Sequence, residues 1–315
     1  GGGSVMDTAK ALNILVSENS DDLMKFSGAG ILKRALKPLV AVPTTAGTGS
    51  EVTQVAVIKD PSRHRKMLFV SSFLMPDIAV LDPRMTMTLP AFITAATGMD
   101  ALTHAVEAYT CLAKNPVSDA HALAAIRLVS ENLLKVVREP SDKNGRLALA
   151  GAATLAGIAF SNSMVGMVHT LGHSVGSVCG VPHGVCMAIL LPYGLEYNMH
   201  RNGRYTAELL MPLAGADVYR TTPREKRADA VVSLIRKLNN ELHEATKGRH
   251  PRFLKEIIDA AGRQVVPETA LPDIAKTAQG DGSIFYNPEE LDYDDLLMVA
   301  KAAWEGVPLD RSKIK

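Results

Sequence analysis

The sequence predicts an α/β segment followed by an all-helical one, and three observations carry that expectation. Short Val- and Ile-rich runs bounded by Pro, Gly or Asp occupy residues 1–90. Ala-rich stretches with apolar residues at helical spacing follow one another from there to the end. A glycine-rich turn, Gly1-Gly2-Gly3-Ser4, leads directly into a helical pattern, the layout in which helix N–H groups can point at a pyrophosphate.

The first element is a helix from about Val5 to Val16. Ser4 suits its N-cap, and Asp7 either completes a capping-box-like pair or turns its carboxylate to a ligand. Strands are expected over Pro38–Pro43, Val52–Ile58, Lys66–Val70 and Asp77–Asp82. The texture changes at Leu89-Pro90, where Pro suits a first helical turn, so the division falls between residues 1–90 and 91–315. Helices are then expected over Ala91–Cys111, Pro116–Arg138, Gly145–Phe160, Thr222–Leu242 and Leu291–Trp304. No internal repeat or low-complexity tract interrupts them, and Lys247–Arg252 reads as a basic surface loop.

Composition narrows the partners. Thirty-four basic residues against thirty-three acidic ones leave a formal charge of +1 with no long block of one sign, which points away from nucleic acid and membrane surfaces and toward a small molecule. Cys111, Cys179 and Cys186 form neither an even disulfide set nor a CxxC pair, so they read as buried thiols of a reducing compartment. The longest apolar runs are too short to span a bilayer, and no signal peptide is visible; a cytoplasmic protein is expected. The chain does not begin with Met, so its numbering is expected to start inside a longer parent or after a cut.

Two stretches carry chemistry in the helical part. Gly98–Tyr109, "GMDALTHAVEAY", sets Asp100 and His104 one helical turn apart on one face. Met167–Gly184, "MVHTLGHSVGSVCGVPHG", holds His169, His173 and His183, the last in a Pro-His-Gly turn at the start of another apolar helix. One carboxylate with up to three imidazoles suits Fe(II) or Zn(II) better than an oxygen-preferring ion. His64, His121, His200, His243 and His250 lie outside this cluster and read as exposed or structural. In the α/β part a second small-residue loop, Val42–Thr53, "VPTTAGTGSEVT", follows a strand and offers hydroxyls to a phosphate, sugar or base.

These four stretches, in this order, make the chain resemble the iron-dependent (group III) alcohol dehydrogenases over essentially its whole length. The shared motifs are GGGSxxDxAK at Gly1–Lys10, TTAGTGSEVT at Thr44–Thr53, GxDALxHAxEaY at Gly98–Tyr109 and HxxxHxLGxxxxxPHG at His169–Gly184. The resemblance implies the dehydroquinate-synthase-like fold of that family, with the first strands of a dinucleotide-binding domain lying before Gly1. It implies Fe2+ or Zn2+ on Asp100, His104, His169 and His183, with His173 beside the substrate as a non-ligand and candidate proton relay. It implies NAD or NADP, with Gly2, Gly3 and Ser4 at the pyrophosphate, Asp7 near the nicotinamide, Thr44, Thr45 and Ser50 on other parts, and Lys66 at a ribose. Phe160 would line the alcohol pocket, placing it with His173 and Asp7 at the reacting centre. Two departures stand out. "LGHSVG" replaces the more usual "MAHxLG", a mild change because Leu171 and Gly172 should only pack. More seriously, the family's strands before the glycine turn, which carry the residue that distinguishes NAD from NADP, are not in this sequence, so the resemblance leaves the cofactor choice and the completeness of its site open.

The implied activity is the NAD(P)-dependent interconversion of a primary alcohol or small diol and its aldehyde, and a homodimer fits the family. The alternatives are a hydroxyacid–oxoacid transhydrogenase, a glycerol-dehydrogenase-like enzyme on the same scaffold, or an inactive fragment that binds metal or nucleotide.

Overall fold

The computed structural model describes residues 1–60 and 65–314, with backbone alone at 59, 60, 65 and 66. His64 and the side chain of Lys66 lie outside the described residues.

Helix α1 spans Gly3–Glu18 and starts from Gly2, whose carbonyl accepts from the N–H groups of Val5 and Met6. No side chain caps it, which corrects the expectation for Ser4: with Gly2 in the cap position, Ser4 already lies in the first turn. Asp7 completes no capping box either, because its carboxylate turns outward to other elements described below. The strands are short. β1 (Gly28–Ala29) and β3 (Val55–Asp60) flank β4 (Arg65–Val70), β1 in parallel and β3 antiparallel with Val55 opposite Val70. β2 (Val40–Ala41) pairs in parallel with β5 (Ile78–Ala79). The strand expected from Val52 begins instead at Val55, because Gly49 in the left-handed region (φ 62°) opens a 3-10 turn over Ser50–Val52.

The helical body follows Pro90, the cap of α2 (Ala91–Thr110). Next come α3 (Pro116–Arg138), α4 (Lys143–Ser163), α5 (Met167–Cys179) and α6 (His183–Glu208), the short α7 (Leu210–Ala214) and α8 (Ala216–Thr221), then α9 (Arg227–Ala245), α10 (Leu271–Ala278) and α11 (Tyr293–Glu305). The helix expected from Thr222 begins at Arg227, after Pro223 and a 3-10 turn, since proline cannot continue the hydrogen-bond ladder. The one expected at Leu291 begins at Tyr293, where Asp292 and Asp295 form a capping box.

Helix α2 is buried on every side from Gly98 to Thr110, as expected of a helix enclosed by others. It packs on α3, α4 and α6, and its Met99, Leu102 and Val106 join Ile126, Leu133, Leu149 and Ile189 in one core. A separate cluster of Ile14, Leu32, Ala56, Phe69 and Leu74 lies beneath the strands. The architecture is an α/β segment followed by an all-helical body. Among the described residues no single helix is long and apolar enough to cross a membrane.

Candidate metal and nucleotide site

Asp100 and His104 leave the same face of α2, and α5 and α6 bring His169 and His183 to meet them. One donor atom from each of the four side chains falls within 4.8 Å of the others. Asp100, His104 and His169 are buried, while His183 opens toward solvent. The ring of His104 lies 4.5 Å from that of His169, and His169 lies 5.4 Å from His183, centre to centre.

The electrostatics of this group favour a cation. Among the described residues, buried Asp100 Oδ1 and His104 Nδ1 find no hydrogen-bond partner, with His183 Nε2 at 3.3 Å and His104 Nδ1 at 3.6 Å near the carboxylate oxygen, and leaving buried polar atoms so is costly. Burial pushes the Asp100 carboxyl up to about 8 and holds His104 well below the ordinary imidazole range, with His169 and His173 adding to the latter. A divalent ion would reverse the penalty on Asp100 and accept the lone pairs of neutral imidazoles. One carboxylate and three imidazoles are donors suited to iron or zinc.

Around this group stand side chains that hold it. Glu107, on the same face of α2, accepts from His169 Nδ1 at 2.5 Å and from the Val168 N–H at 2.7 Å. It thereby anchors both the ring and the first turn of α5. Burial pushes Glu107 up to about 7 against those backbone hydrogen bonds. Phe160 stacks on His104, 4.4 Å between centres and 20° between planes. His173, one turn beyond His169, stacks on His183 at 5.3 Å and bonds through Nδ1 to Asp281 at 2.8 Å.

The two small-residue loops meet beside this group. A Cβ on Gly2 would stand 3.1 Å from Thr45 Oγ1, and one on Gly3 would stand 2.7 Å from Thr48, so the glycine turn seats against the second loop only because it lacks side chains. Gly1 and Thr44 join through the Thr44 N–H at 3.0 Å. Gly47 of the same loop lies close to Thr97 and Asp100: a Cβ there would be 3.2 Å from Asp100 Oδ2. Residues 44–53 therefore touch the glycine turn on one side and the four-residue cluster on the other. Asp7 fastens the assembly, accepting from Ser50 Oγ at 2.7 Å and from the Val57 N–H at 3.0 Å. Burial raises the Asp7 carboxyl, with these bonds opposing it.

Residues 94–304 match the profile described as the Fe-containing alcohol dehydrogenase family, C-terminal, and residues 1–83 match iron-containing alcohol dehydrogenase. The 1,3-propanediol dehydrogenase of Klebsiella pneumoniae is 36% identical over 304 residues, 96% of this chain and 74% of that protein. The chain belongs to the iron-containing alcohol dehydrogenase family. Its fold superposes on a crystal structure of a 1,3-propanediol oxidoreductase with a TM-score of 0.88 at 35% identity, covering 96% of this chain and 75% of that one. A sulfoacetaldehyde reductase from Bifidobacterium kashiwanohense, solved with NAD+, superposes at 0.80 with 27% identity, covering 96% of this chain and 74% of that one. The chain thus spans about three quarters of the length of these relatives.

In this iron-containing alcohol dehydrogenase family member the sequence-expected residues gather as one neighbourhood: Asp100, His104, His169 and His183 in a cluster, His173 and Phe160 against it, and Gly2, Gly3, Thr44, Thr45, Ser50 and Asp7 in the adjoining loops. Ser4 is exposed at the first turn of α1. Leu171 and Gly172 pack as expected, Leu171 fully buried and Gly172 against Met187 of α6. Glu107 and Asp281 were not singled out from sequence. Glu107 carried a signal, since it stands three residues after His104 and seven after Asp100 on one helix face. Asp281 lies in the stretch Gly280–Leu291, a loop that bears on pocket shape, but nothing in the sequence pairs it with a histidine 108 residues away.

Proposed function

We propose that this chain catalyses the NAD(P)-dependent interconversion of a small primary alcohol or diol and its aldehyde at the junction of residues 1–90 and 91–315, taken as two domains. The observation that carries the reading is the convergence of buried Asp100, His104 and His169 with half-buried His183 beside a loop that also touches the glycine turn.

In this reading the four side chains hold one divalent ion, Fe2+ or Zn2+. The Gly2-Gly3-Ser4 turn, Asp7, Thr44, Thr45, Ser50 and Lys66 hold the nucleotide. When bound, the ion supplies Lewis-acid charge that eases loss of the alcohol proton, and the nicotinamide supplies the hydride acceptor. The protein's own contribution is placement. The first turn of α1 presents N–H groups to phosphate charge. The loop 44–53 sets the distance between nucleotide and ion sites, where misplacement is costly in rate. Phe160, stacked over His104, provides an apolar wall that keeps water from the reacting carbon. His173 takes up and returns the alcohol proton at the open side of the cluster.

The diol reading draws support from the 1,3-propanediol dehydrogenase relative, and NAD draws support from the reductase solved with NAD+. The test is NADH and NADPH oxidation with a panel of short aldehydes, on protein stripped of metal and then given Fe2+ or Zn2+. Turnover that appears only on metal addition supports the proposal. Full turnover in rigorously stripped protein, or none with any aldehyde and either nucleotide after reloading, contradicts it.

A further inference from the structure

We propose that Asp281 is a positioning residue for His173, holding the imidazole by Nδ1 so that Nε2 is the nitrogen presented to substrate. The inference rests on the reading of His173 as the group beside the substrate, and adds to it a partner and a tautomer.

The geometry fixes the ring in two independent ways. Its plane is set by stacking on His183, 16° from parallel at 5.3 Å, and by the edge of His169 at 5.7 Å. Its rotation within that plane is set by the 2.8 Å bond from Nδ1 to Asp281 Oδ2. An ionised carboxylate only accepts, so Nδ1 must carry a proton and Nε2 lies on the ring edge away from Asp281. Asp281 is itself held. Its Oδ1 accepts from the Ser283 N–H at 2.9 Å, and its own N–H bonds to Ala278 O at the end of α10. Burial pushes its carboxyl up, but the bonds from His173 and Ser283 more than offset this and leave it below the usual carboxylate range. Helix α10 packs on α5, and the 3-10 turn over Gly282–Tyr286 does too, so the carboxylate arrives on a supported segment.

Without that acceptor the half-buried imidazole could flip, or carry its proton on Nε2, and present the wrong atom to an alcohol oxygen. The reactive nitrogen is thus chosen by a residue 108 positions away in sequence.

The test uses Zn2+-loaded, 15N-histidine-labelled protein as wild type, Asp281→Ala and Asp281→Asn, with His173 signals assigned by their loss in His173→Gln. Asparagine keeps the bond to Ser283 through its one amide oxygen but turns an NH2 donor toward His173 Nδ1, so it preserves the turn while favouring the Nε2–H form. In wild type, His173 should show a protonated Nδ1 and a pyridine-type Nε2, moving in Asp281→Ala toward the Nε2–H form. Metal content should be equal in all three. The kcat should fall about tenfold or more in Asp281→Ala with the KM for NADH changed less than about twofold, and Asp281→Asn, which offers Nδ1 a donor, should fall at least as far. A wild-type proton on Nε2, or an Asp281→Ala variant with unchanged tautomer and unchanged kcat, overturns the proposal. Full activity in His173→Gln would instead overturn the role given to His173, while the nitrogen shifts still judge Asp281 by themselves.

Discussion

At the scale of single residues, the histidines show how burial divides chemistry from structure. His250, in the stretch that reads as a basic surface loop, is 1% exposed and bonds through Nε2 to Asn239 Oδ1 at 3.2 Å. Burial, with His243 nearby, lowers it from 6.5 to about 4. The unfolded chain therefore takes up this proton near 6.5 and the folded chain only near 4. Stability held by the neutral ring is complete above 6.5 and drains away as pH falls toward 4, by about 3 kcal/mol at one pKa unit per 1.4 kcal/mol. Replacing His250 with Gln should flatten the fall in Tm between pH 7 and 4.5. An unchanged slope would contradict the assignment. Sequence alone separated this histidine from the four-residue cluster by spacing, but could not show that it is buried. Its burial comes with the turn that folds it back on the end of α9, where the His250 N–H donates to Thr246 Oγ1 and the His250 carbonyl meets His243 Nδ1, a geometry that composition does not record.

At the scale of elements, the site is built on helix contacts so close that only glycine fits. Gly184, the second residue of α6, sits against α2: a Cβ there would fall 2.4 Å from Ala96 O. Gly49 and Gly157 make a similar backbone contact between the second loop and α4, where a Cβ on Gly157 would meet Gly49 O at 2.8 Å. A backbone oxygen cannot step aside as a flexible side chain can, so Gly184→Ala must push α6 outward and carry His183 away from Asp100. We expect a loss of about 2 kcal/mol in stability together with a lower metal content, read by calorimetry and elemental analysis of the same sample. Unchanged values in both would show that α6 has room to spare. Helices α2 and α3 were legible because apolar residues recur along them at helical spacing and Pro90 and Pro116 mark their starts, while α4 begins two residues before its expected start, at Lys143 behind the Asp142 cap. The strands were less so. β1 is two residues including a glycine, too short for alternation to register, and the start of β3 was displaced by the turn that Gly49 imposes.

At the scale of the whole molecule, one loop ties the α/β segment to the helical body. Lys10 of α1, fully buried, donates to Thr53 O, Thr53 Oγ1 and Val55 O at 2.8, 3.0 and 2.9 Å. Burial lowers its ammonium to about 8. From the other side, Glu51 accepts from Thr154 Oγ1 of α4 at 2.7 Å. Loop 44–53 is therefore clamped between α1 and α4 while it touches both the glycine turn and Asp100. Thr154→Val keeps the shape and removes the bond, leaving the buried Glu51 with one partner fewer at a cost of about 1–3 kcal/mol. Nucleotide affinity should fall several-fold in calorimetric titration with metal content unchanged; loss of metal with nucleotide affinity intact would reverse the assignment.

All of this depends on four side chains from three helices sharing one ion. X-ray absorption at the metal edge of the purified, metal-loaded protein tests that most directly. The prediction is one metal per chain with nitrogen and oxygen neighbours at about 2.0–2.2 Å, strong imidazole scattering from three histidines, and loss of that signal in His183→Ala. A shell without imidazole, or one unchanged when His183 is removed, would contradict it.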